Sequence, residues 1–293
     1  MKRIICMLLL SKISLSAFAQ QPCAPIVPPQ FSESAKKNLD EKLAVAKNEF
    51  EKNPESADAL IWYGRRTAYL GNYLQAIEIF SKGIALYPTD ARFLRHRGHR
   101  YITTRCFDEA IVDFKKAAKL EKGKLDEVEP DGMPNEKNIP TSTLQSNIYY
   151  HLGLAYYLKA DYKNALKAYE ECLKVSTNND MYVATFNWLY LTMRKMENKI
   201  AAEKRLAKMN FEMELIENED YLEILKIHKK KSEMKLQTQE TLSSSTLGFA
   251  LGSFYLLNGF SQKAKEVFEK VISGNQWASF GFIAAEAELK RMQ

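Results

Sequence analysis

Thirty-four residues separate Gly64 from Gly98, and the same number separates Ala76 from Ala110. A fixed period of this length marks a stack of similar units, each burying its apolar face only against its neighbours. The second unit shows what one contains. In Arg92 to Ala117, Phe93, Leu94, Gly98, Tyr101 and Ile102 recur at three and four residues. After a break at Thr104 to Phe107 the series resumes with Ala110, Ile111, Phe114, Ala117 and Ala118. That spacing predicts two short antiparallel helices. Gly98 lies inside the first, where it costs up to about 1 kcal/mol relative to Ala, so it implies close approach by a neighbouring helix. Leu60, Gly64, Ala76, Phe80 and Pro88 punctuate the unit before it, and Gly153, Tyr156, Ala165 and Tyr169 a unit after it.

The period, with this Gly, Tyr, Ala, Phe and Pro pattern, resembles the tetratricopeptide repeat (TPR) family. The resemblance implies an all-α fold, a right-handed α-solenoid of helix-turn-helix repeats. The strings RHRGHRYITTR, DEVEPDGMPNEKNIPTSTLQSNIYYHLGLAYYLKADY and WASFGFIAAEAEL also resemble a group of exported bacterial TPR proteins, which implies a compartment and no activity. Full repeats are expected at 57–90, 91–124, 146–179, 183–216 and 245–278. The fourth is degenerate, with Tyr190 where the others have Gly. Helical spacing at 34–56 (Ala35, Leu39, Leu43, Ala46, Phe50) reads as an N-terminal cap. The helix from Trp277 to Arg291 begins apolar and ends in Glu286, Glu288, Lys290 and Arg291, which suits a terminal cap. Two blocks break the period. Residues 125–145 form an acidic, proline-punctuated insertion, and 217–244 a charged, partly helical spacer.

At the start, Lys2 and Arg3, the apolar run Ile4 to Leu10 and the small residues of Ala17-Phe18-Ala19 read as a secretory signal peptide, 1–19, with Lys12 interrupting the apolar region. The expected location is therefore exported, periplasmic or secreted, with no stable membrane span after signal cleavage. A leader with Pro22, Pro25, Pro28 and Pro29 follows. Removing the signal takes three cations and no acid from a net charge of +6, leaving a mild +3. That charge, on a fold without a groove reader, argues against nucleic acid. The remaining cysteines, Cys23, Cys106 and Cys172, are odd in number and imply no disulfide framework. Cys172 reads as a buried thiol. Cys106, in an inter-helix turn, reads as the more accessible one, and a Cys23–Cys106 bridge requires the leader to fold back.

No phosphate loop, paired Cys-x-x-Cys, His-Glu-x-x-His or Gly-x-Ser-x-Gly is present, so no enzyme, cofactor or metal is expected. His96 and His99 have a metal-compatible spacing, but lack a third ligand and sit among arginines. The resemblance instead implies a protein-binding surface. In the family the concave-facing positions lie six before, three before, one after and four after the helix Gly. Carried over, these are Asp58, Ile61, Arg65 and Ala68; Arg92, Arg95, His99 and Ile102; and Asn147, Tyr150, Leu154 and Tyr157. The implied ligand groove has Arg65, Arg92, Arg95 and His99 as polar contacts and Tyr150 and Tyr157 as apolar ones. It suits a protein or peptide with an anionic segment, because guanidinium groups hold carboxylates through paired hydrogen bonds. Two alternatives stand beside it. The arginines are simply solvated, or the acidic stretch Asp126 to Asp131 folds back on them, with Arg97 needing a partner if buried. A structural subunit of an envelope complex, using convex or terminal faces, is the alternative function, and an enzyme with an unrecognised site a further one.

Overall fold

The structure, a computed structural model, describes residues 22–230 and 241–293; the signal-type segment 1–19 lies outside them. The described residues form thirteen helices and no strand, with one isolated antiparallel bridge, Val128 to Thr143. Helix α1 (Glu33–Lys52) starts where the Ser32 hydroxyl accepts from the Ala35 N–H. Hairpins then stack in order: α2 (Ala57–Tyr69) with α3 (Tyr73–Leu86), α4 (Ala91–Thr103) with α5 (Phe107–Glu121), α6 (Leu144–Leu158) with α7 (Tyr162–Val175), and α8 (Asn179–Lys195) with α9 (Lys199–Ala207). After α10 (Glu219–Lys230) comes the last hairpin, α11 (Leu242–Leu257) with α12 (Ser261–Ile272), and then α13 (Phe280–Arg291). The molecule is an all-α solenoid.

One recurring contact explains the repeat. A Cβ on Gly64, Gly98, Gly153 or Gly252 would lie 2.5, 2.9, 2.5 or 2.3 Å from the ring of Phe80, Phe114, Tyr169 or Phe268. Each aromatic stands sixteen residues after its glycine, on the second helix of the hairpin, so the missing side chain is the ring's seat. In the degenerate hairpin the bulk is exchanged. Tyr190 replaces the glycine, and sixteen residues on stands Leu206 instead of an aromatic; both are buried. The ring now stands on the first helix, and the pair is bulkier than Gly with an aromatic, because Tyr for Gly adds more volume than Leu for an aromatic removes. Segment 217–244 does more than space two repeats where it is described. Asp180 accepts from the backbone N–H groups of Ile216, Glu217 and Asn218, and α10 then buries Leu222, Ile224, Leu225 and Ile227 between α8 and α11.

Both ends of the chain return to the middle. Cys23 and Cys106 form a disulfide, the Cys23 N–H donates to the Thr104 carbonyl, and Pro29 lies against Gly71. Cys106 is thus buried and bonded, not the accessible thiol its turn position suggests. Cys172 is the buried free thiol. At the other end, Trp277 stacks on Tyr73 with ring centroids 5.9 Å apart, and Phe282 joins the core of Leu60, Ile61 and Phe80. Arg105, held at φ 64°, places its guanidinium 3.8 Å from the Trp277 ring centroid and donates to the Trp277 carbonyl and to Glu286. The charged end of the last helix is also engaged. Glu288, 2% exposed, accepts from Lys195 and Arg291, and Arg291 donates to the carbonyls of Tyr157 and Leu158. Helix α13 covers the last hairpin, α11 and α12, and its polar residues also reach back to α6 and α8, closing the solenoid on itself.

Candidate functional site

Closure turns the concave face into a chamber of about 660 Å³. Its helical walls carry Arg65 and Tyr69 from α2, Arg95, His99 and Arg100 from α4, and Tyr150 from α6; Phe280 of α13 completes them. The insertion crosses this face. Arg95 Nε lies 2.9 Å from Glu129 Oε2, an ion pair poorly aligned for a hydrogen bond, and Asn147 Nδ2 donates to the same oxygen. Arg65 donates to the Pro130 carbonyl at 2.8 Å and Arg66 to the Gly132 carbonyl at 2.7 Å. Gly132 is required here, since a Cβ would stand 1.7 Å from the Tyr69 hydroxyl. The fold-back alternative is thus realised by Glu129 and two carbonyls. Asp126 instead caps α6, its carboxylate accepting from the Thr143 hydroxyl and the Gln145 N–H.

Of the other groove candidates, Arg92 leaves the chamber to pair with Asp90 and Asp58, and these bonds hold its pKa above the usual arginine value despite burial. Tyr150 lines the chamber with its hydroxyl accepting from Trp188 Nε1 at 2.8 Å and 3.2 Å from the Tyr221 hydroxyl. Tyr157 does not. It is 1% exposed, its ring meets Trp188 edge-on, and its hydroxyl donates to Glu288. Arg97 also departs from expectation: its Nε and Nη2 both donate to Asp113 at 2.7 Å and its Nη1 to the Ser81 hydroxyl, not to the insertion. Arg100, Tyr69 and Phe280 line the chamber without a repeat-register signal, since Arg100 lies two residues after Gly98 and Phe280 belongs to the returning end.

The histidines are neutral spacers. Arg95 Nη1 donates to His96 Nδ1, and the His99 and His151 rings are 4.6 Å apart. Burial, followed by the field of Arg95, Arg65, Arg100 and Arg92, pushes His96 well below the ordinary value; burial and then Arg100 do the same to His99. Burial, with Arg95 and Arg100 adding to it at His151 and Arg194 at His228, lowers both to about 3. The folded state therefore binds fewer protons than the unfolded state below the unfolded value of about 6.5. Stability is unaffected above that pH and lost as pH falls from 6.5 toward 3, by at most about 1.4 kcal/mol per pH unit for each histidine. Urea melts at pH 7.5, 6 and 5 are expected to show this loss before most carboxylates titrate. Equal midpoints at the three pH values would contradict the neutral assignment.

Residues 146–179 match the family model for the tetratricopeptide repeat and span α6 and α7. The hairpins stacked on either side of them share their helix-turn-helix form. No curated protein matches the chain. Among solved structures it is similar to YrrB, described as a TPR protein with an unusual peptide-binding site, at 16% identity, covering 83% of this chain and 97% of that one with a TM-score of 0.44. It is also similar to MamA, at 18% identity over 70% of this chain and 92% of that one with a TM-score of 0.45. PilW, described as a type IV pilus biogenesis factor, is 14% identical over 81% of this chain and 86% of its own, with a TM-score of 0.45. No described helix is long and apolar enough to cross a membrane.

Proposed function

We propose that the protein is an exported interaction scaffold whose concave face receives an extended acidic segment of a partner in the place now filled by its own residues 129–132. The carrying observation is the manner in which that place is filled. A carboxylate sits on Arg95, and the backbone carbonyls of Pro130 and Gly132, on either side of Asp131, sit on Arg65 and Arg66. These contacts require only an acid and an extended backbone, which a partner can supply equally well. Export is supported by the signal-type start and by the Cys23–Cys106 disulfide, which suits an oxidising compartment.

A tethered segment competes at an effective concentration on the order of millimolar, so the wild-type face is largely self-occupied. The test uses a labelled peptide copying residues 125–135. Its affinity by fluorescence anisotropy is expected to rise at least about tenfold in Glu129→Ala, since that variant leaves a buried guanidinium unpaired. Adding Arg95→Ala should abolish the gain. Equal, weak binding to all three proteins would overturn the reading and favour a structural subunit joined through its terminal faces. One feature supports that second reading: an apolar groove of about 620 Å³ between α1 and α2, lined by Val45, Ala46, Ala59 and Trp62.

A further inference from the structure

The chamber behind the insertion holds two charged groups of opposite sign that the protein itself leaves unused. Arg100 has no ion pair and no hydrogen bond among the described residues; its nearest recorded company is the face of Tyr73, 5.9 Å away. Burial pushes its pKa down to about 10; Tyr69 and Tyr73 oppose the shift, and Arg95 and Arg65 add to it. Asp131 likewise makes no side-chain hydrogen bond or ion pair, and its Oδ2 is cut off from solvent without a donor. Burial raises its pKa, with Glu217 adding to the effect and Arg65 and Arg95 opposing it. The two do not pair with each other. Among the other chamber charges Glu129 is committed to Arg95, Arg65 to Pro130, and Glu217 to Thr141 and Asn135, while Asp220 is a second carboxylate without a partner in the described residues.

An unpaired guanidinium and an unpaired carboxylate, both drawn out of bulk water, cost free energy that a bound counterpart recovers. We infer that the chamber binds a small zwitterion of the amino-acid class, its carboxylate on Arg100 and its ammonium on Asp131, with its side chain against Tyr150, Phe280 and Met181. The chamber's volume falls in the range of roughly 300–1,000 Å³ usual for small-molecule sites, and its lining is rich in charged and polar groups beside a few aromatic ones, which suits a small charged ligand. The acidic wall is rigid, because the carbonyls of Pro130 and Gly132 on either side of Asp131 are both held by arginines. The ligand would therefore bind the closed state, with the insertion in place. Partner capture is not needed for it.

Calorimetric titration of the full oxidised chain with the common L-amino acids tests this. L-phenylalanine serves as the reference, phenethylamine lacks its carboxylate and 3-phenylpropanoate lacks its ammonium. At least one amino acid is expected to bind, with each half-analogue weaker by about tenfold or more, as lost charge-assisted hydrogen bonds require. Arg100→Gln should lower amino-acid affinity by a similar factor and leave phenethylamine unchanged. Asp131→Asn should do the converse with 3-phenylpropanoate. Absence of heat and of thermal stabilisation by every amino acid at about 10 mM would overturn the inference, given that any ligand of the folded state raises its stability. So would an Arg100→Gln protein that binds like wild type. Because the peptide experiment is read separately on Glu129→Ala, failure here leaves partner capture standing, and the reverse holds.

Discussion

Trp277→Ala is expected to lower stability by about 3–5 kcal/mol, the usual cost of emptying a fully buried large aromatic site. Its consequence should extend beyond that number. A linear solenoid is stabilised between neighbours only, so its ends unfold independently. Here Trp277 lies on Tyr73 and under Arg105, and Phe282 enters the core of the first hairpin, so opposite ends of the chain share one cluster. Wild-type protein is therefore expected to unfold in a single urea transition, and the variant in two, with the C-terminal hairpin and α13 lost first. Hydrogen exchange should show the amides of 280–291 losing protection in the variant while α4 and α5 keep theirs. Glu286→Gln is the control. Its carboxylate is 35% exposed, and a pair of that kind contributes at most about 1 kcal/mol. If exchange at 280–291 is unchanged in Trp277→Ala, the ring closure rests on Phe282, Glu286, Glu288 and Arg291 without the indole.

What the sequence made legible was whatever repeats. Gly64, Gly98 and Gly153 announced the hairpins, because each must seat a ring and the period preserves the arrangement. The same sixteen-residue step also carries Arg97 to Asp113, so that pairing follows the repeat as well. Contacts that occur once left no such trace. Trp277 on Tyr73 joins distant parts of the chain, and periodicity reports only adjacent units. Tyr150 and Tyr157 occupy equivalent concave positions of one helix, yet the first reaches the chamber and the second is sealed by Trp188 and Glu288. The difference arises because α8 and the returning α13 cover the far end of α6, which no local rule contains. Choosing among the acids of the insertion had the same character. The bridge from Val128 to Thr143 leaves Asp126 capping a helix and Glu129 facing Arg95.

The second large effect is expected at the disulfide. Cys23 and Cys106 are 83 residues apart, and closing a loop of that length removes about 4–5 kcal/mol of entropy from the unfolded chain at 25 °C. Cys106→Ser should therefore lower the melting temperature by roughly 10 °C, at the few degrees per kcal/mol usual for a chain of this size. Reductant should do the same to wild type and nothing further to the variant. The leader carries the local consequence. Ile26 packs with the first hairpin and Pro29 lies over Gly71, contacts expected to lose order once Cys23 is no longer tethered beside Thr104. A double-mutant cycle separates the bond from the packing of either side chain. If the covalent link is what matters, Cys23→Ser and Cys106→Ser cost the same singly, and the double variant costs no more than one of them. Cys106 is 2% exposed whereas Cys23 is exposed, so a packing effect would instead give a large penalty at Cys106, a small one at Cys23, and additivity. Hydrogen exchange at 22–31 closes the argument: protection lost equally in both single variants assigns the order of the leader to the disulfide, and protection retained in Cys23→Ser assigns it to Ile26 and Pro29.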